Sequence, residues 1–191
     1  MLATLAEAPL KQKGLVYEPK YDGIRALVEI VPRPKGATAR LWSRNGNEKT
    51  AQFPAIVRAL EAAARTLEAP VVLDGEIVAL DGQGRPAGFQ RLQGRMHLKD
   101  ARDAERAEAA QPAVLIAFDL LREGKQDLTR LTLRDRRARL EKLFDQTFRL
   151  KADATGSKAK KPDDAVIRLS EQVADDAVSY THLTLPTILR V

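Results

Sequence analysis

The sequence predicts an α+β fold built on antiparallel sheet, and three observations point there. Strand-like runs come as neighbours, as in "ALVEIVP" and "ATARLWS" around "RPKG". Helical runs separate the strands without the regular alternation that a parallel sheet requires. No internal repeat divides the chain. At 191 residues and 44% hydrophobic, there is material for one cored domain or a little more.

The elements follow in order. Residues 15–18 suit a short strand leading to Lys20. The pair around "RPKG" has Pro and Gly where a connecting loop needs them. In "FPAIVRALEAAARTLEAP" the residues Ile56, Val57, Leu60, Ala64 and Leu67 recur at helical spacing, with Pro54 in the opening turn. "VVLDGEIVAL" is a strand that stops at the turn "DGQGRP". "KDARDAERAEAAQ" is charged and alanine-rich, which suits an exposed helix or connector. "AVLIAFDLL" is a continuous apolar run and so a buried strand. "LTLRDRRARLEKLFDQTF" places Leu133, Leu140, Leu143 and Phe144 on one helical face, with arginines expected on the other. "KADATGSKAKKPDD" is a basic, flexible loop, and "VIRLSEQV" begins another strand.

Composition narrows the function. The chain has no cysteine, which removes disulfides and thiolate metal sites. It has no apolar run of membrane-span length and no signal-peptide plan at its start, so the expectation is a soluble cytoplasmic protein with no membrane partner. A net charge of +6 and a pI near 9.7 favour a polyanionic partner, nucleic acid above all.

Four short stretches carry the chemistry. "YEPKYDGIR" sets Lys20 between Glu18 and Asp22, with Pro19 fixing the backbone and Gly23 expected to allow a tight turn. A solvated turn reads the same way. A lysine that attacks a phosphate must be neutral, against a reference pKa of about 10.4, and nearby cations such as Arg25 or a metal lower that value. "LWSRNG" ends a strand with Arg44 in a turn, where it could clamp a phosphate. "LDGE" projects Asp74 and Glu76 from one strand face, about 7 Å apart along it. Such a pair suits Mg²⁺ or a ribose, and suits a solvent-facing strand equally well. "IAFDLL" ends a buried strand at Phe118, which could stack on a purine or simply be core.

In this order, "KYDGIR", "SRNG", "LDGE" and "FDLL" resemble the motifs of the ATP-dependent DNA ligases, most closely the ligase domain of bacterial DNA ligase D. "MLATLAEAP" and "GFQRLQGRM" resemble segments that flank them. The resemblance spans nearly all of residues 1–177. It implies an antiparallel-sheet nucleotidyltransferase (adenylation) domain, ATP-grasp-like. Lys20 is then the nucleophile that takes AMP from ATP, and Glu18 recognises the adenine amino group. Arg25 and Arg44 bind ribose or phosphates, and Glu76 binds the ribose and helps place Mg²⁺. Phe118 stacks on adenine, and Asp22 supports later steps at a nick. ATP and Mg²⁺ are the implied cofactors. Nicked or broken double-stranded DNA is the implied partner, in the nucleoid, with end-joining repair proteins beside it. An RNA ligase or capping-type nucleotidyltransferase also uses K-x-D-G, and a non-catalytic nucleotide- or nick-binding fragment stays open.

Two family motifs, a later Glu-Gly strand and a K-x-K pair, are missing, as is an OB-fold domain. "KAK" at 158–160 lies in the basic loop and is a decoy. The expectation is the front part of an adenylation domain, deficient in ligation as given and with apolar surface left open. Residues 178–191, "VSYTHLTLPTILRV", do not follow from what precedes them. Their first ten residues match a translation of GTCTCTTATACACATCTGACGCTGCCGACG, which resembles a transposon-end sequencing adapter. The tail is therefore expected to be adapter read-through, and 1–177 the partial ligase domain. Without the tail the net charge falls from +6 to +5, through Arg190.

Overall fold

Two compact units share the chain, Asp22–Leu169 and the flanking pair Met1–Tyr21 with Ser170–Val191. The computed structural model describes residues 16–149, 165–174 and 187–190. "MLATLAEAP", the "KAK" loop and most of the 178–191 tail lie outside the described residues.

Among the described residues the flanking unit opens with β1 (Val16–Pro19), which is buried from Tyr17 onward. The larger unit is a mixed sheet covered on one face by helices. β2 (Ile24–Arg33) buries Ile24, Ala26, Val28 and Ile30, the alternate residues of a strand with one face in a core. It turns through Gly36, at φ 132°, into β3 (Gly36–Ser43), pairing Ala26 with Ser43 and Arg33 with Gly36. α1 (Pro54–Ala63) has proline in its first turn and buries Ile56, Leu60 and Ala63. β4 (Val71–Leu80) pairs antiparallel with β2 and puts Val71, Leu73, Ile77 and Ala79 into the same core. β5 (Pro86–Ala87) pairs with the end of β4.

The segment "GFQRLQGRM" forms a 3₁₀ turn over Phe89–Arg95. α2 (Ala101–Ala110) is capped by Asp100, which accepts from the Arg102 and Asp103 amides, and buries only Ala104. β6 (Ala113–Glu123) pairs antiparallel with β4 and with the short β7 (Gln126–Asp127). α3 (Leu133–Phe144) starts at Thr132, whose hydroxyl accepts from the Asp135 amide. β8 (Ile167–Leu169) lies parallel to β6, so the sheet is antiparallel except for this one pair. The strand order is β3-β2-β4-β6-β7. In the flanking unit, β9 (Val173–Ala174) and β10 (Thr187–Arg190) pair antiparallel with the two edges of β1.

Two expectations change here. α3 does not keep its arginines on the solvent side: Arg136 and Arg137 are buried, Arg136 at 3% exposure, while Leu133 is only half-buried. The expected open apolar surface is also absent among the described residues, where Leu27 is the single exposed large hydrophobic side chain.

Candidate active site

The sheet presents its second face, away from the α1 core, through the alternate residues of β2, β4 and β6. On β4 these include Asp74, Glu76 and Val78. The antiparallel register sets Arg25 beside Glu76 and Leu27 beside Asp74. Arg25 reaches diagonally to Asp74, with Nε at 2.9 Å from Oδ1 and a second guanidinium nitrogen at 2.5 Å from Oδ2. Asp74 is 3% exposed, so the fork supplies the pairing that water cannot. Two of the Arg25 nitrogens are therefore engaged by protein, a partner the sequence alone did not assign.

Glu76 is placed differently. Its Oε1 accepts from the Gly23 amide at 3.2 Å. Burial raises its carboxyl from the ordinary 4.5 to about 7, opposed by the Gly23 N–H and Arg25 and reinforced by Asp74 and Asp22. A carboxylate held back from ionising in this way gains most from a cation brought to it.

Gly23 and Gly75 are explained by space. Gly23 is not among the positive-φ glycines. A Cβ on Gly23 would stand 2.1 Å from the Ile77 carbonyl oxygen, and one on Gly75 would stand 2.7 Å from that of Ile116. The two Asp-Gly pairs therefore let β2, β4 and β6 approach closely, and the expected tight turn is not the reason for Gly23.

β6 carries a bulge where it passes Asp74. Gly75 pairs with Ala117 and Asp74 with Asp119, which leaves Phe118 as the extra residue. Phe118 alternates with Ile116, the partner of Glu76, and so belongs to the same face. It is 7% exposed. Asp22 is exposed, and its Oδ2 accepts from the Phe89 amide at 3.2 Å, which ties the 3₁₀ turn to the end of the K-x-D-G stretch. That turn is held at its far end by Arg95, 2% exposed, which pairs with Glu108 at 2.8 Å and lies 5.6 Å over the Phe53 ring.

Arg44 is exposed in the turn that follows β3, where Gly46 has φ 73° and its amide donates to the Ser43 carbonyl. The β2–β3 register carries this turn to the end of the sheet where β2 begins. Arg44 makes no ion pair among the described residues.

In the flanking unit, Glu18 is 1% exposed and its Oε1 accepts from Gln172 Nε2 at 2.6 Å. Burial pushes the Tyr21 phenol above its ordinary value, opposed by hydrogen bonding with Ser170. Lys20 is exposed. No sequence signal marked Gln172. The larger unit thus gathers Arg25, Asp74, Glu76 and Phe118 on one face with Arg44 at the same end, while Glu18 lies on β1 and Lys20 directly follows that strand.

The family model described as "ATP dependent DNA ligase domain" matches residues 1–177. The chain belongs to the ATP-dependent DNA ligase family. A DNA ligase of Haloarcula marismortui is 42% identical over 125 residues, covering 65% of this chain and 21% of that protein. The bifunctional non-homologous end joining protein LigD of Bacillus subtilis is 40% identical over 130 residues, covering 67% and 20%. Among solved structures, a mycobacterial DNA ligase D complexed with ATP and MES superposes with a TM-score of 0.58 at 29% identity, over 86% of this chain and 42% of that one. The chain thus spans about a fifth of the length of these two curated relatives. The fold is that of the ligase nucleotidyltransferase domain, mixed helix and antiparallel sheet, as the sequence predicted.

Proposed function

We propose that this chain carries the adenylate-accepting half of an ATP-dependent DNA ligase, with Lys20 as the nucleophile. The observation that carries the reading is the sheet face on which Arg25, Asp74, Glu76 and Phe118 assemble, at the end where the chain leaves Lys20. The neutral Lys20 amine attacks the α-phosphorus of ATP. A P–N bond forms as the nitrogen gives up a proton to solvent, the bond to the bridging β-phosphate oxygen breaks, and pyrophosphate leaves with that electron pair. Glu18 accepts from the adenine amino group, with Gln172 orienting its carboxylate. Phe118 stacks on the base, which must displace the groups that now cover its ring. Arg44 and Arg25 hold phosphate and ribose oxygens, Arg25 in the pose that Asp74 fixes. In a complete ligase the AMP would then pass to a 5′-phosphate at a break in duplex DNA, supported by Asp22, and a 3′-hydroxyl would displace it. The net positive charge suits that partner and predicts salt-sensitive binding.

Mg²⁺ fits this donor set with a limited role for the protein. No cluster of three or more carboxylate or imidazole groups stands ready for a metal among the described residues. Mg²⁺ usually keeps several waters and takes one or two carboxylates plus substrate phosphates. Glu76, with its raised pKa, is the group that would hold it, and the ion would neutralise charge on the phosphates.

The proposed setting is repair of broken DNA in the cytoplasm, at the nucleoid, beside end-joining proteins, and the likeness to a non-homologous end joining LigD protein supports the repair role. Because the chain spans 42% of the solved mycobacterial DNA ligase D chain, the 191-residue polypeptide is proposed to bind nucleotide and accept AMP without sealing nicks. Incubation with ATP and Mg²⁺, followed by a nick-sealing assay on DNA and on RNA, tests this. Strong sealing by the chain itself would refute the partial assignment, and adenylation from GTP would move it to the capping enzymes.

Residues 178–191 are proposed to be adapter-derived. Supporting this, the family match ends at residue 177. The pairing of Thr187–Arg190 with β1 needs no native origin, because an extended segment pairs readily with a strand edge. Resequencing the gene across the Ala177 codon tests the point, and a genomic "VSYTHLTLPT" would refute it.

A further inference from the structure

The bulge on β6 has a support that lies outside the candidate site. Asp119 and Asp74 are register partners on adjacent strands, 4% and 3% exposed, and the charges of both act on Arg25. Each is held by one arginine. Asp74 has Arg25 from β2, and Asp119 has Arg136 from α3, with Nε to Oδ1 and Nη2 to Oδ2 both at 2.8 Å. The remaining Arg136 nitrogen donates to the Leu131 carbonyl at 2.6 Å. Asp119 Oδ1 also accepts from the Leu120 amide, its own neighbour, at 2.9 Å.

The extra residue has a second consequence. Leu120 pairs with Leu73 and faces the apolar core, and Ala117, beside Gly75, does so as well. Strict alternation from Ala117 would send Asp119 into that core. The bulge instead sets it opposite Asp74, and Phe118 is the residue inserted to do so. Phe118 and Asp119 are therefore placed by one bulge, and Arg136 holds its second residue.

We infer that Arg136 is a positioning residue for nucleotide binding, acting through Asp119 on the bulge that aims Phe118. This rests on the reading of Phe118 as the adenine platform. Lysine at 136 keeps the charge but cannot grip both carboxylate oxygens. Asp119 then repels Asp74, and the bulge relaxes with its aromatic residue.

The test compares ATP with inorganic tripolyphosphate, which has the phosphates and lacks the base, by calorimetric titration of the full 191-residue chain. Arg136→Lys is expected to weaken ATP about tenfold and tripolyphosphate by less than about twofold. In a Phe118→Ala background, the same change is expected to alter ATP affinity by less than about twofold, because the element it positions is gone. Amide exchange at Leu120 should speed up in Arg136→Lys whether or not nucleotide is present. Should Arg136→Lys not fold, Asp119→Asn with Arg136→Gln offers a neutral pair and carries the same expectation. Equal weakening of both ligands, or no change in either, would overturn the inference and leave the proposed function standing. A wild-type chain that binds ATP no better than tripolyphosphate would overturn the Phe118 assignment and the inference with it.

Discussion

Replacing Glu76 with glutamine should make the protein more stable at pH 8 while impairing its chemistry. The Glu76 carboxyl ionises near 7 in the fold and near 4.5 when free. A folded pKa above the unfolded one means the folded state holds the proton more tightly. The stability gained from protonated Glu76 is fully present below about pH 4.5 and is lost as pH rises through about 7. A shift of about two and a half units corresponds to about 3 kcal/mol. The glutamine amide keeps an oxygen for the Gly23 N–H and adds no charge beside Asp74. Urea unfolding followed by Trp42, the single tryptophan and a residue of β3, measures the effect. Wild type should lose stability between pH 5 and 8, and Glu76→Gln should not. At pH 8 its midpoint should be higher by about 1–2 M urea. Asp81 and Asp127 do not intrude, since backbone amides hold both below 3.8, under that window. A flat wild-type profile, or a variant less stable than wild type at pH 8, would show that Glu76 is not held as described.

Further substitutions test other parts of the site. Arg25→Met strands a buried Asp74 carboxylate and should cost about 3 kcal/mol, most of it recovered in Arg25→Met/Asp74→Asn; urea midpoints at pH 7 decide. Gly75→Ala must push β4 from the Ile116 carbonyl and should cost about 1–3 kcal/mol while weakening ATP binding, both read on the same sample. Arg58→Ala removes an exposed pair with Glu105 and should change stability by less than about 1 kcal/mol, which thermal melting can check.

Much of the site was legible because strand alternation is strict. "VVLDGEIVAL" placed Asp74 and Glu76 on one face without any knowledge of a partner, and β4 does so. The identity of that partner was not legible, because Arg25 meets Asp74 only through a register set 49 residues away. The role of Gly23 was misread for a similar reason: the crowding atom belongs to Ile77 on another strand. The arginines of α3 had a usable signal. Arg136, Leu140 and Leu143 follow the i, i+4, i+7 spacing of a buried stripe, but charge suggested the solvent side. Phe118 was singled out by its place at the end of a buried run, whereas the bulge at Phe118 depends on β4–β6 pairing and leaves no local mark. Gln172 lies 154 residues from Glu18 and could be assigned only in three dimensions.

The central claim, that Lys20 takes AMP from ATP, is tested most directly by intact-mass analysis after incubation with ATP and Mg²⁺. The account predicts a single added adenylate on the wild-type chain, lost with acid as a phosphoramidate should be, and absent from Lys20→Ala and Lys20→Arg. An adduct that persists in Lys20→Ala, or a wild-type chain that binds ATP and never gains the mass, would contradict it.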